Sequence, residues 1–279
     1  MQTTQNNNSE SLFTPFQWFK YAVYLLLVIN TIAFYREESA AVLLMHPNGV
    51  DWDGIINAYA ATIDTAAWVV LLLLFELETW TIPDEKLTPT IQLVFKACRA
   101  VCYSSIVYAF YGYLQSWQEL SQWQTIEADV SQLCDYVGSS FMYSLERFEL
   151  ISAANCQTIG ESGSLLTLGN DLLIDESHYY LAQTLAIADV VNSAAWIFVV
   201  CILEVEVWLL AKGPMSTSAF QTIKFIKLAL YGTLIAIATF WGFYGEFIDF
   251  WDAFVWIVAF FFIENNVAQW QEEKLEEAV

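Results

Sequence analysis

The residue in this sequence most able to do chemistry is an aspartate in the middle of an apolar run. Asp64 falls inside the segment 55–75, where a carboxylate in hydrocarbon costs roughly 3 kcal/mol or more unless it is paired, hydrated or protonated. Asn192 occupies the matching place in a second apolar run, and Asp189 lies three residues before it, one helical turn away. Two acids and an amide within one helical turn of depth could hold a proton or a small cation. The same groups could instead form a polar clasp, with the Asp64 carboxyl hydrogen-bonded to Asn192, Thr65 or Ser193 to fix helix packing.

Asp64 and Asn192 are related by more than composition. Asp64, Ala66, Ala67, Trp68, Glu76, Glu78 and Trp80 align without a gap on Asn192, Ala194, Ala195, Trp196, Glu204, Glu206 and Trp208, at an offset of 128 residues. The match continues from Lys96, Arg99 and Tyr103 to Lys224, Lys227 and Tyr231. Coincident Trp, Glu and basic positions point to a duplicated helical hairpin. A parallel repeat of this kind predicts superposition by half a turn about the membrane normal. Within each hairpin, distances from the turn predict charge pairs at the inner interface, Glu76 with Lys96 and Glu204 with Lys224. Lys96, Arg99 and Tyr103 share one helix face, whereas Glu76 and Glu78 point to opposite sides of theirs. Such charges either anchor the helix ends or line an inner vestibule.

The elements that position these groups are membrane helices. Hydrophobic residues make up 57% of the chain and charged residues 15%, a balance unlike that of a soluble domain. Apolar windows near the length needed to cross a bilayer fall at 16–35, 55–75, 100–117, 181–203, 228–244 and 250–268. Lipid cannot satisfy backbone groups and no barrel-like alternation is present, so the fold class is an all-α integral membrane protein of six spans. The chain divides into a polar tail (1–15), a first span (16–35), hairpin one (53–117), an exported loop (118–180), hairpin two (181–244), a sixth span (250–268) and a charged tail (269–279).

Charge sets the orientation. Lys20, Lys86, Lys96, Arg99, Lys212, Lys224, Lys227 and Lys274 share one side of this threading, and only Arg36 and Arg147 fall opposite. Both termini are therefore expected in the cytoplasm of a bacterial inner membrane or plasma membrane. Residues 1–15 lack a basic n-region and a cleavage site, so the first helix serves as its own targeting signal. The net charge is -21, but its distribution matters more: with so few basic residues outside the inner interface, nucleic-acid binding has no electrostatic basis.

The exported loop carries apolar residues at helical spacing (Leu120, Trp123, Ile126, Val130, Leu133, Val137), which predicts an amphipathic helical cap. Its two cysteines, Cys134 and Cys156, are candidates for a disulfide in an oxidising compartment; Cys98, Cys102 and Cys201 fall in helices as packing residues. No catalytic or phosphate-binding motif is present, no cofactor is implied and no metal site is assigned. His46 and His178 with Asp51 or Asp175 would be the only source of an outer metal site. Two functions follow: an ion-conducting or ion-coupled membrane protein, or a non-catalytic accessory subunit that binds copies of itself or other membrane subunits in the lipid bilayer.

Overall fold

The computed structural model describes residues 15–45, 54–77, 88–161, 163–169, 172–210, 212–213, 215–245 and 247–277. Seven α-helices carry most of the described residues: α1 (Pro15–Met45), α2 (Ile55–Ala58), α3 (Ala60–Glu76), α4 (Pro89–Leu120), α5 (Glu176–Leu210), α6 (Thr217–Tyr244) and α7 (Phe247–Glu277). Among the described residues four helical segments, Gln17–Leu43, Pro89–Leu120, Glu176–Leu210 and Thr217–Tyr244, are long and apolar enough to cross a membrane, and the chain has the features of a multi-pass membrane protein.

Local chemistry explains where the helices begin. Thr88 accepts a hydrogen bond from the Ile91 N–H and places Pro89 in the first turn of α4, while Ser216 caps α6 through the Ala219 N–H. At the start of α5, the Asp175 carboxylate accepts the His178 N–H at 2.8 Å. Helix α3 has no side-chain cap of its own. Glu38 of α1 supplies one across the helix interface, accepting the backbone N–H groups of Ala61 and Thr62 at 2.9 and 3.1 Å.

The long helices form a closed ring in chain order. Helix α1 packs on α3, α3 on α4, α4 on α5, α5 on α6, α6 on α7, and α7 returns to α1. Leu27, Ile106 and Leu234 are each almost fully buried at its centre. Leu25, Ile29, Val101, Val107, Phe225, Leu228 and Ile235 are exposed on its outside, as expected for side chains whose solvent is lipid rather than water.

The connection between α4 and α5 is a sheet, which corrects the expected helical cap. Strands β1 (Gln124–Asp129), β2 (Ser140–Met142), β3 (Phe148–Leu150), β4 (Ser164–Gly169) and β5 (Leu172–Asp175) form one sheet in the order β1-β4-β5-β2-β3. All neighbouring strands are antiparallel except β2 and β5. Part of the helical spacing is real: Val130, Leu133 and Tyr136, three apart, lie on a 3-10 helix, Val130–Tyr136. Of the other apolar residues, Leu120 ends α4 and Ile126 lies on the largely exposed edge strand β1, whereas the central strands β2 and β5 are buried on both faces. Leu166, Leu172 and Ile174 pack toward α5, whereas Leu165 and Leu173 face Leu133, Phe141 and Ile151. Two covered faces erase the alternation that identifies a half-buried strand.

Cys134 on the 3-10 helix and Cys156 after β3 are joined by a disulfide. Gly160 approaches the same 3-10 helix with φ +81°, and a Cβ there would meet Val130 Cγ1 at 3.0 Å. Only glycine takes that conformation without cost.

Candidate functional site

A chamber of about 80 Å3 lies within the ring, toward the end that carries the sheet. Its wall includes Asp64 on α3, Asp189 and Asn192 on α5, and Asp249 and Asp252 on α7, with Glu146 from the turn between β2 and β3. Five carboxylates thus share a space whose lining, among the described residues, contains no lysine, arginine or histidine. Phe34, Tyr113, Trp196, Trp241 and Trp256 supply its aromatic surface.

Several of these polar groups lack a hydrogen-bond partner. Asp64 Oδ1, Asn192 Oδ1 and Glu146 Oε2 are buried and unpartnered, as is Ser193 Oγ. Asp64 interacts with Trp68 and Tyr113, and Asp252 Oδ1 accepts a hydrogen bond from Asn30 Nδ2 at 2.9 Å. Asp64 and Asn192 therefore line one cavity without bonding through these oxygens. Unpartnered oxygen atoms in a polar space large enough for a few waters are acceptors for a solvated cation or a proton.

The chamber adjoins a second cavity of about 200 Å3 between α1, α2, α4 and the sheet. Ala61, Tyr113, Leu145, Glu146 and Asp189 line both, so the β2–β3 turn stands at the neck. Burial raises the Glu146 carboxyl well above the usual range, and the negative groups at Asp249, Glu37, Glu38 and Asp189 push it further the same way. Beyond the chamber the centre is filled by aromatic rings. Phe260 packs against Trp196 at 4.7 Å, Trp256 at 6.2 Å and Trp68 at 6.4 Å between ring centroids.

The charged side chains at the opposite end pair differently from the spacing argument. Glu76 is bonded not to Lys96 but to Lys20 of α1, at 2.6 Å, with Tyr21 and Tyr24 donating to the same carboxylate. Lys227, rather than Lys224, pairs with Glu206 at 2.7 Å and with Glu264 of α7. Lys96 and Lys224 are exposed. Glu204 accepts from Tyr103 of α4 at 3.2 Å, and Arg99 lies one turn from Tyr103. Distance from a turn fixes depth but not azimuth, and α1 and α7 lie beside the hairpins. Glu78 lies outside the described residues.

His178 Nδ1 lies 2.7 Å from Asp175 Oδ1, while His46 and Asp51 lie outside the described residues. The Asp175 carboxylate is held below the usual range: burial opposes this, and hydrogen bonds from the His178 side chain, the His178 N–H and the Glu161 N–H outweigh it.

Sequence reasoning passed over Glu146, Asp249 and Asp252. Glu146 carries no local signal, since only the fold brings its turn to the bundle. The other two had one: the spacing of Asp189, Asn192 and Trp196 recurs in Asp249, Asp252 and Trp256. Compared with known proteins, the chain matches no family model, no curated protein and no solved structure.

Proposed function

We propose that this chain is a six-span membrane protein that binds protons or small cations in the acidic chamber and conducts them or couples to their movement. The observation that carries this reading is the buried, unpartnered Asp64 Oδ1 facing a polar cavity that, among the described residues, is lined by carboxylates and no cationic side chain. A dry clasp would have closed Asp64 onto Asn192 or Ser193. In this reading α3 and α7 span the bilayer with the four longer apolar helices, the N- and C-termini are cytoplasmic, and the sheet faces outward. The 200 Å3 cavity is then the outer approach. The aromatic layer of Trp68, Trp196, Trp256 and Phe260 closes the inner side, which favours gated or coupled movement over an open pore.

Purified protein in proteoliposomes, with proton, sodium and potassium fluxes followed by fluorescent indicators, tests the reading. Asp64→Asn keeps size and hydrogen-bonding capacity but cannot titrate or carry charge. It is expected to abolish flux while leaving assembly intact. Equal flux in wild type and Asp64→Asn at every pH would refute the assignment and leave Asp64 a packing residue.

A further inference from the structure

The ring contains a third copy of the repeated pattern. On the helices running away from the sheet, Asp64, Trp68 and Glu76 of α3 correspond to Asn192, Trp196 and Glu204 of α5, and to Asp252, Trp256 and Glu264 of α7. On the helices running toward it, Lys20 and Tyr24 of α1 correspond to Arg99 and Tyr103 of α4, and to Lys227 and Tyr231 of α6. Tryptophan occupies 12 of 279 positions, so composition alone would place it correctly in both further helices roughly once in five hundred.

Contacts follow the same threefold plan. Lys20 and Tyr24 bind Glu76, Tyr103 binds Glu204, and Lys227 and Tyr231 bind Glu264. In each case the first helix of a unit clamps the second. One turn beyond each tyrosine stand the buried Leu27, Ile106 and Leu234, and two turns further Phe34, Tyr113 and Trp241 all line the chamber. Successive units are two places apart in a ring of six helices, a third of a turn rather than the half turn that a two-hairpin repeat implies. The sheet is then an insertion at the outer turn of the middle unit.

We propose that the chamber is a monovalent-cation site built by three homologous two-helix units, α1–α3, α4–α5 and α6–α7, in which Asp252 completes a ligand ring with Asp64 and Asn192. The proposal rests on the chamber being a cation site at all. The unpartnered Asp64 Oδ1 and Asn192 Oδ1 supply two acceptors, and Asp252 reaches the same chamber while held by Asn30. Asp189 and Asp249 lie one turn outward on α5 and α7, where the first unit has Ala61, and Glu146 and Tyr113 close the neck. Among the described residues no three acidic, histidine or cysteine side chains come close enough to hold one metal ion by themselves, so an ion bound here would keep waters among its ligands. A partly hydrated monovalent ion needs less charge, and the chamber has room for its waters.

The three-unit plan makes the position of the acid exchangeable. Fluxes of protons, sodium and potassium through the full-length protein in proteoliposomes are compared for Asp64→Asn, Asp252→Asn and the swap Asp64→Asn with Asn192→Asp. Each single variant is expected to lower flux of the carried ion by at least about tenfold, as loss of a buried charged ligand does. The swap is expected to recover most of it, and the ion affected separates proton from alkali-cation binding. Loss in Asp64→Asn alongside wild-type flux in Asp252→Asn and an inactive, folded swap would overturn the threefold ring while sparing Asp64. Unchanged flux in Asp64→Asn would remove the cation site and the ring together. Thermal stability of detergent-purified protein against sodium or potassium concentration is an independent readout. Wild type should gain stability with the bound ion and Asp252→Asn should not; an equal gain in both would overturn the ring.

Discussion

Replacing Lys227 by Met keeps the aliphatic stem and removes one charge that two glutamates share. Lys227 Nζ pairs with Glu206 and Glu264, and the three side chains are 13%, 6% and 22% exposed. Their environment is therefore poor in water, and losing the cation leaves two close carboxylates without compensation. Breaking a buried ion pair from one side costs about 3–5 kcal/mol, most of it the penalty on the charge left behind. The remaining phenol of Tyr231 still donates to Glu264 at 2.9 Å, so the lower part of that range, about 3 kcal/mol, is expected. Lys224→Met at the neighbouring exposed position should change stability by no more than about 0.5 kcal/mol. Reversible denaturant unfolding in bilayer-mimicking micelles, followed by tryptophan fluorescence, gives both values. A loss below about 1 kcal/mol for Lys227→Met, or equal losses for the two lysines, would refute the claim that this cation clamps α5 and α7 to α6.

The Glu146 carboxyl is raised by burial and surrounding negative charge, so its contribution to docking is fully present below the ordinary carboxylate range and is lost as pH rises through the raised value. Glu146→Gln should flatten this part of the pH dependence and strengthen docking of the β2–β3 turn at neutral pH, measured by hydrogen exchange of residues 140–150; an unchanged profile would refute it. Reducing the bridge, or replacing Cys134 and Cys156 by Ser, removes a link across a separation of 22 residues. The loss of loop-closure constraint should destabilise the sheet by about 3 kcal/mol, seen as faster proteolysis of the segment 121–175; equal cleavage with and without reductant would show that the bridge carries no stability.

Composition and hydropathy by themselves marked out apolar helices long enough to cross a membrane, because bilayer thickness and backbone hydrogen bonding permit few alternatives for such runs. Asp64, Asn192 and Asp189 were legible as site candidates, since polar groups stand out against apolar helices and these three line one chamber. The constant 128-residue offset between the two hairpins is a sequence pattern, whereas the matches proposed for α1 and α7 stand at other offsets, and only the closure of the ring sets those helices side by side. Tertiary structure alone decided the charge partners: Glu76 could reach Lys20 only after α1 packed on α3, and sequence spacing carries no information about azimuth between separate helices. It also decided the sheet, because the central strands β2 and β5, buried on both faces, lack the alternation that separates a strand from a buried helix. The arrival of Glu146 at the chamber neck was hidden for the same reason: its place follows from strand pairing and docking between distant parts of the chain, which no local pattern around Glu146 encodes.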